Sequence, residues 1–315
     1  MPKKIVNIKK ISHEEWLELR KRGLGGTDAS VCVNMNPYSS LITLYADKKG
    51  LSSSKPDNEA MRLGRDLEQY VAERFMEATG KKVINDNFMY QDDEHDFMFA
   101  DIDRKVVGEN AGFEAKTMGS FNGHNIEAGE IPSHYYCQCQ HYCSVMNWDY
   151  IYIGFLVLQR GFYWLKVDRD DSFIAQMRKA EVDFWKDYVE KDITPEPDGS
   201  EASLDTLKEL YPNATKDSEI NIPGLDSLIA DYKSFGTIEK EFSEKKAKVQ
   251  AQICAKLGSN EIGIGTDYGC SWKKQSKSGM DVKRFKEEHP DVYQQYATVS
   301  EYRVFRTKQI KKKER

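Results

Sequence analysis

Ala111-Gly112-Phe113-Glu114-Ala115-Lys116-Thr117, preceded by Phe97-Met98-Phe99-Ala100-Asp101, is the stretch on which the fold turns. Side chains alternate between faces in an extended strand, so Glu114 and Lys116 project together while Ala115 points into the packing. If the segment around Phe99 to Arg104 is the neighbouring strand, Asp101 approaches Glu114 and two carboxylates meet a few ångströms apart. Such a pair must protonate, repel or share a cation. A divalent ion held by carboxylate oxygens, a backbone carbonyl and water resolves the conflict, and Mg²⁺ takes few protein ligands. By itself Asp…Glu-x-Lys is a weak pattern in a chain that is 31% charged. Its apolar frame gives it weight, because charges set in core-like strands are rarely buried without a partner. The competing reading is a structural ion pair between Glu114 and Lys116.

The chain has 315 residues, 39% of them hydrophobic, enough for one large domain and a smaller one. The N-terminal Met1-Pro2-Lys3-Lys4-Ile5 opening lacks an apolar signal core. No apolar run approaches the roughly 18 residues of a membrane span, so a cytoplasmic protein with no membrane partner is expected. Cys32, Cys254 and Cys270 are isolated and Cys137, Cys139 and Cys143 clustered, unlike a secreted disulfide framework. The cluster, with His134 and His141 beside it, falls in a predicted helix from Ser133 to Trp148. One helix cannot close a tetrahedral site with these residues, which makes them small buried thiols.

A net charge of −5 argues against indiscriminate nucleic-acid binding. From Leu257 onward, however, basic residues outnumber acidic ones, and Lys273, Lys274, Lys277, Lys283, Arg284, Lys286, Arg303, Arg306, Lys308 and Lys311-Lys312-Lys313 could contact phosphates or simply solubilise the surface. The few histidines fall in no Ser-His-Asp or Cys-His setting, so a nucleophilic hydrolase is disfavoured.

Ser12 opens a helix over His13 to Arg22 that stops at Gly23, and a glycine-rich turn, Gly23-Leu24-Gly25-Gly26-Thr27-Asp28-Ala29-Ser30, enters the next. Backbone N–H groups, the hydroxyls of Thr27 and Ser30 and the nearby Arg22 suit a terminal phosphate there. A capped tight turn is the plainer alternative. Asn58 to Thr79 has apolar residues at helical spacing and ends at Gly80, with Glu68 beside the apolar stripe. Strands are expected near Lys82 to Met89, Asp96 to Asp101 and Ala111 to Thr117. The helix after Pro132 puts Gln138 and Tyr142 one turn apart on one face. Tyr150 to Leu158 and Phe162 to Asp168 read as a hairpin, followed by a helix from Asp171 to Lys191. Asp192 to Pro223 reads as a linker, and Leu225 to Leu257 as a long charged helix with an apolar seam. Tyr268 to Lys274 and Ser300 to Thr307 read as two strands around a helical insert, Val282 to Tyr296, interrupted at Pro290.

These features in order resemble the YqaJ-like viral recombinase exonucleases, relatives of phage lambda exonuclease in the PD-(D/E)XK nuclease superfamily. Gly25-Gly26-Thr27-Asp28-Ala29-Ser30, Asn36-Pro37-Tyr38, Gly64 to Glu68, Asp101, Glu114-Ala115-Lys116, and Pro132 leading to Tyr135, Gln138 and Gln140 carry the resemblance, which spans Glu14 to Val189. Ala100 stands where the superfamily expects proline. The resemblance implies an α/β fold: a restriction-endonuclease-like mixed sheet flanked by helices, with a C-terminal α+β extension. It implies a nuclease core over residues 1–192, a loose connection over 193–223 and an extension over 224–315.

By the same resemblance Asp101 and Glu114 hold Mg²⁺ or Mn²⁺ with the Ala115 carbonyl. Glu68 lies near a second ion, Lys116 orients water and steadies the phosphate, and Gln138 and Tyr142 contact substrate or the carboxylates. Arg22, Thr27, Asp28 and Ser30 form a 5′-phosphate pocket. The implied activity is a 5′ to 3′ double-strand DNA exonuclease that leaves 3′ strands for a phage single-strand annealing protein, acting on duplex ends as a homo-oligomer such as a trimer. The alternatives are a structure-specific or opposite-polarity nuclease of the same fold, and a non-catalytic DNA-end-binding module.

Overall fold

A computed structural model describes residues 2–52, 57–216, 218–299 and 302–308. In chain order the strands of the first unit are β1 (Lys3–Asn7), β2 (Val83–Asn85), β3 (Phe88–Gln91), β4 (Phe99–Asp101), β5 (Arg104–Val106), β6 (Ala111–Met118), β7 (Tyr150–Val157) and β8 (Gly161–Asp168). Its α-helices are α1 (His13–Lys21), α2 (Gly26–Cys32), α3 (Leu41–Lys48), α4 (Glu59–Thr79), α5 (His124–Glu127), α6 (Ser133–Met146), α7 (Asp171–Phe184) and α8 (Glu201–Leu210). The expected caps set their ends. Ser12 and Glu15 form a capping box on α1, the Asn58 side chain accepts the Met61 N–H at the start of α4, and Gly80 closes α4 at φ +70°.

Five strands form a mixed sheet in the order β2-β5-β6-β7-β8, with β6 and β7 parallel and the other pairs antiparallel. A parallel pair needs a crossover, and α5 and α6 supply it. Because helices cover both faces, β7 is apolar nearly throughout. Val71, Ala72 and Phe75 of α4 pack on Phe113 and Tyr152 from one side. From the other, Cys137, Cys139 and Cys143 of α6 pack against Ile151, Ile153 and Phe155. All six cysteines are free thiols, and these three are buried, as expected of small apolar fillers.

The neighbour of β6 differs from expectation. Phe99 to Arg104 is not one strand: β4 pairs with β3 in a separate sheet ordered β1-β3-β4, and β5 pairs with β6. Ile102 and Asp103 lie where the chain passes from one sheet to the other. Buried His141 pins the β4 side of this passage. Its Nε2 lies 2.8 Å from the Phe99 carbonyl, which can only accept, so that nitrogen donates, while Nδ1 lies 2.7 Å from Glu181. Burial pulls the imidazole toward neutrality, but Glu181 outweighs it and holds the pKa above the usual histidine range.

Two compact units divide at Pro212 and Asn213, later than the expected boundary at residue 192. The reason is α8, which lies inside the expected linker and packs on α3: the Thr206 hydroxyl lies 2.7 Å from that of Thr43, and Ser203 donates to Ser40 at 2.9 Å. In the second unit α9 (Leu225–Leu257) leaves its seam of Leu228, Tyr232, Phe235, Ile238, Phe242, Val249 and Ile253 exposed. The hairpin there joins β9 (Ile262–Ile264) to β10 (Gly269–Ser271), which lies within the expected strand Tyr268 to Lys274; of the second expected strand, Ser300 and Glu301 lie outside the described residues and residues 302–308 carry no strand. The insert is two helices, α10 (Val282–Glu288) and α11 (Pro290–Tyr296), broken where Pro290 begins the second. Lys311-Lys312-Lys313 lies outside the described residues. Among the described residues no helix is long and apolar enough to cross a membrane.

Gly112 shows how tightly β6 is seated, since a Cβ at this position would run into the indole ring of buried Trp148. Gly112→Ala should cost about 1–3 kcal/mol through overpacking. Equilibrium denaturant unfolding measures it, and an unchanged midpoint would contradict this packing.

Candidate active site

Strand alternation puts Glu114 and Lys116 on the same face of β6, as expected, and the surroundings bury Glu114 to 3% exposure. The β5–β6 register sets Arg104 opposite Phe113, so one step further it sets Asp103 opposite Glu114. Asp103 Oδ2 accepts the Ala115 N–H at 2.8 Å, locking the acid to the strand between Glu114 and Lys116. Glu114 Oε1 accepts from Lys116 Nζ at 2.6 Å and from Gln138 Nε2 at 2.8 Å. Tyr142, one turn along α6, places its hydroxyl 3.2 Å from the same Gln138 nitrogen. Glu114 Oε2 is buried with no hydrogen-bond partner.

Burial, then the Glu114 charge, pushes the Asp103 carboxyl well above the usual carboxylate range. Burial also raises Glu114, although Lys116 opposes it. For Lys116, burial favours the neutral amine, but Glu114 and Asp103 outweigh it and keep the ammonium charged above the ordinary lysine range. Both acids thus hold a proton more readily than a free carboxyl, and a single lysine faces them. The Lys116 ammonium also lies 5.1 Å from the centre of the Tyr135 ring.

These groups open on a cavity of about 190 Å³ lined by Trp16, Arg20, Gly26, Thr27, Asp101 and Asp103 together with Glu114, Gln138 and Tyr142. Gly26 is required where α2 meets α6, because a Cβ there would sit 2.8 Å from both Gln138 Cγ and the Tyr142 ring. A groove of about 1750 Å³ shares Trp16, Arg20, Thr27, Asp101 and Asp103 and continues past Glu68 and Arg104.

Several expected site residues are placed differently. Asp101 lines both hollows and lies close enough to raise Glu114's pKa, but its Oδ2 accepts the Trp16 indole N–H at 2.8 Å and its strand pairs with β3. Glu68 is held by Arg104 at 2.5 Å. Arg22 caps α1 at the surface, and the arginine that lines the cavity is Arg20, whose guanidinium lies 5.0 Å from the Trp16 ring. Thr27 faces the cavity. Asp28 is buried, bonded to the Gly25 N–H at 2.9 Å and to Lys48 at 2.7 Å, so its charge is already matched. Burial raises the Asp28 carboxyl, but Lys48 and Arg20 outweigh this and hold it below its ordinary value. Ser30 is fully buried, donating to the Thr27 carbonyl at 2.8 Å and accepting from Asn36 at 2.9 Å. Neither Asp28 nor Ser30 presents a free group to a phosphate.

Asp103 was not among the expected site residues, yet it lines the cavity and bonds the strand beside Glu114. Neither Ala100-Asp101 nor Ile102-Asp103 carries the motif's proline, so local pattern does not separate the two acids. The one available signal is distance along a hairpin, since Asp103 abuts the strand that folds back on Glu114.

Among the described residues no group of three or more His, Cys, Asp or Glu side chains converges to hold an ion. The residues present nonetheless fit a divalent cation that draws on few protein ligands: buried Glu114 and half-buried Asp103 line one cavity, and one Glu114 oxygen has no partner.

The sequence matches the model of the YqaJ-like viral recombinase domain over residues 15–149. It is 33% identical over 304 residues to the uncharacterized protein YqaJ of Bacillus subtilis (strain 168), covering 95% of each chain. Its fold is similar to that of an alkaline exonuclease from Laribacter hongkongensis, with a TM-score of 0.50 at 18% identity over 57% of this chain and 94% of that one.

A carboxyl whose pKa is raised by folding takes up protons on folding, so Asp103's contribution favours the fold as pH falls through its folded value and opposes it as pH rises. At neutral pH without metal, Asp103→Asn should therefore raise the melting temperature, by about 1–2 kcal/mol of stability. Mg²⁺ should raise the wild-type melting temperature and leave that of Asp103→Asn unmoved. Differential scanning calorimetry with EDTA and with Mg²⁺ checks both, and a less stable Asp103→Asn protein would contradict the electrostatic account.

Proposed function

The chain belongs to the YqaJ-like viral recombinase family, and from that premise we propose that it is a metal-dependent deoxyribonuclease degrading duplex ends from 5′ to 3′. The observation that carries the proposal is Asp103 bonded to the Ala115 N–H beside Glu114, whose Oε2 is buried and unbonded, with Lys116 charged alongside. A buried acid, a half-buried one and a lysine brought together are an expensive arrangement for stability alone. They are a useful one for phosphodiester hydrolysis.

Asp103 and Glu114, with the Ala115 carbonyl, would hold the ion. A bound divalent cation would supply charge neutralisation at the scissile phosphate and a water acidic enough to attack it. Gln138 holds Glu114 in one rotamer through Oε1 and leaves Oε2 for the ion, and Tyr142 steadies Gln138. Lys116 places a fixed positive charge beside the phosphate, where negative charge develops in the transition state. Arg20 and Thr27, on the wall of the same cavity, would take the terminal 5′-phosphate. The product strand with a free 3′ end is the substrate of a single-strand annealing protein.

Asp103→Ala and Glu114→Ala should abolish digestion, and Lys116→Ala should slow it by about 10²–10³-fold while duplex binding persists. Asp101→Ala should cost less than Asp103→Ala. The assay is Mg²⁺-dependent digestion of linear duplex labelled at one 5′ end, with and without the terminal phosphate, beside closed circular DNA. Cleavage of the circle would replace end-dependence with endonuclease activity. Shortening from 3′ ends would reverse the polarity, and digestion in EDTA would remove the metal.

A further inference from the structure

Tyr38 on the groove is 68% exposed, and its backbone is tied into the glycine-rich segment. Its N–H donates to Asn36 Oδ1 at 2.8 Å, Asn36 Nδ2 donates to Ser30 Oγ at 2.9 Å, and Ser30 Oγ donates to the Thr27 carbonyl at 2.8 Å. Pro37 restricts the backbone between them. This chain of bonds ties the Tyr38 backbone to the loop carrying Thr27, which lines the inner cavity. The ring meets His134 edge-on at 5.7 Å and 84°, His134 contacts Tyr135 at 4.0 Å, and Tyr135 lies beside Lys116. Ring contacts thus connect Lys116 to Tyr38, which shares the groove lining with Asp101 and Asp103.

A flat ring of this kind, exposed on a fixed backbone with its edge against His134 beside the proposed phosphate-handling site, matches what a nucleobase requires. Every base offers a π-face, so stacking on an aromatic ring is tolerant of sequence and fixes the nucleotide's position without reading it. We infer that Tyr38 is a stacking platform for a nucleobase near the end of the strand being cut, and that Asn36 and Ser30 position it. The inference rests on the nuclease reading, and it adds a base-binding subsite that aligns the backbone with Glu114 and Lys116.

The test uses full-length protein and a duplex carrying 2-aminopurine at the first, second or third nucleotide from the labelled 5′ end. In EDTA, wild-type protein should quench or shift the fluorescence at one of these positions. Tyr38→Ala should lose that signal, and Tyr38→Phe should recover most of it, because stacking uses the ring and not the hydroxyl. In Mg²⁺, Tyr38→Ala should raise KM about tenfold or more with a smaller change in kcat, and Asn36→Ala should shift KM in the same direction by less. Replacing the stacked nucleotide by an abasic one should bring wild type and Tyr38→Ala to the same KM. The platform is overturned if Tyr38→Ala leaves both fluorescence and KM unchanged, or if its KM defect persists on the abasic duplex. If wild type shortens no DNA while the fluorescence signal still depends on Tyr38, the nuclease reading fails and the platform stands.

Discussion

Two carboxylates facing each other across β5 and β6 impose the constraint from which the rest of the site follows. Glu114 is buried and Asp103 half-buried; burial raises the proton affinity of both, and the Glu114 charge raises that of Asp103 further. One lysine and one glutamine reach a single oxygen of Glu114, leaving the other without a partner. Buried polar atoms are seldom left this way, because each costs its full desolvation. The fold accepts the cost through its surroundings: a parallel β6–β7 pair covered on both faces, α6 supplying Gln138 and Tyr142, and α2 brought close by Gly26.

The passage between the two sheets connects this constraint to the groove. β4 belongs to one sheet and β5 to the other, so successive acids of one short segment receive different environments. Asp101 goes to Trp16 and Asp103 to the Ala115 N–H. His141 anchors the β4 side through the Phe99 carbonyl, a role unrelated to the cysteines beside it. Glu68, bound to Arg104, fixes the β5 side from α4. Charged residues that look interchangeable in the chain are thus divided between holding the backbone and facing the cavity.

The glycine-rich loop divides its residues similarly. Asp28, Lys48 and the Gly25 N–H form a buried polar knot that shapes the turn, while Ser30 and Asn36 secure the segment leading to Tyr38. That leaves Thr27 and Arg20 to face the cavity. Hydroxyl and charge along a loop announce a polar role, but the side chain's direction decides whether the partner is the protein or a ligand.

Helix boundaries, the hairpin of β7 and β8, the strand carrying Glu114 and Lys116, and the pairing of Gln138 with Tyr142 on one helix face were legible in the chain, because caps, glycines and periodicity of 2 or 3.6 are local properties. That Asp103 bonds the Ala115 N–H while Asp101 bonds Trp16, that Arg20 and not Arg22 lines the cavity, and that Asp28 and Ser30 are buried depended on strand partners and on which face of α2 meets its neighbours. The packing of α8 on α3 likewise converted an apparent linker into part of the first unit. Local pattern determines what element a residue occupies and with which neighbours it shares a face. Which of two acids two residues apart meets a distant glutamate is set by hydrogen-bond register between strands, and that exists only once the chain has folded.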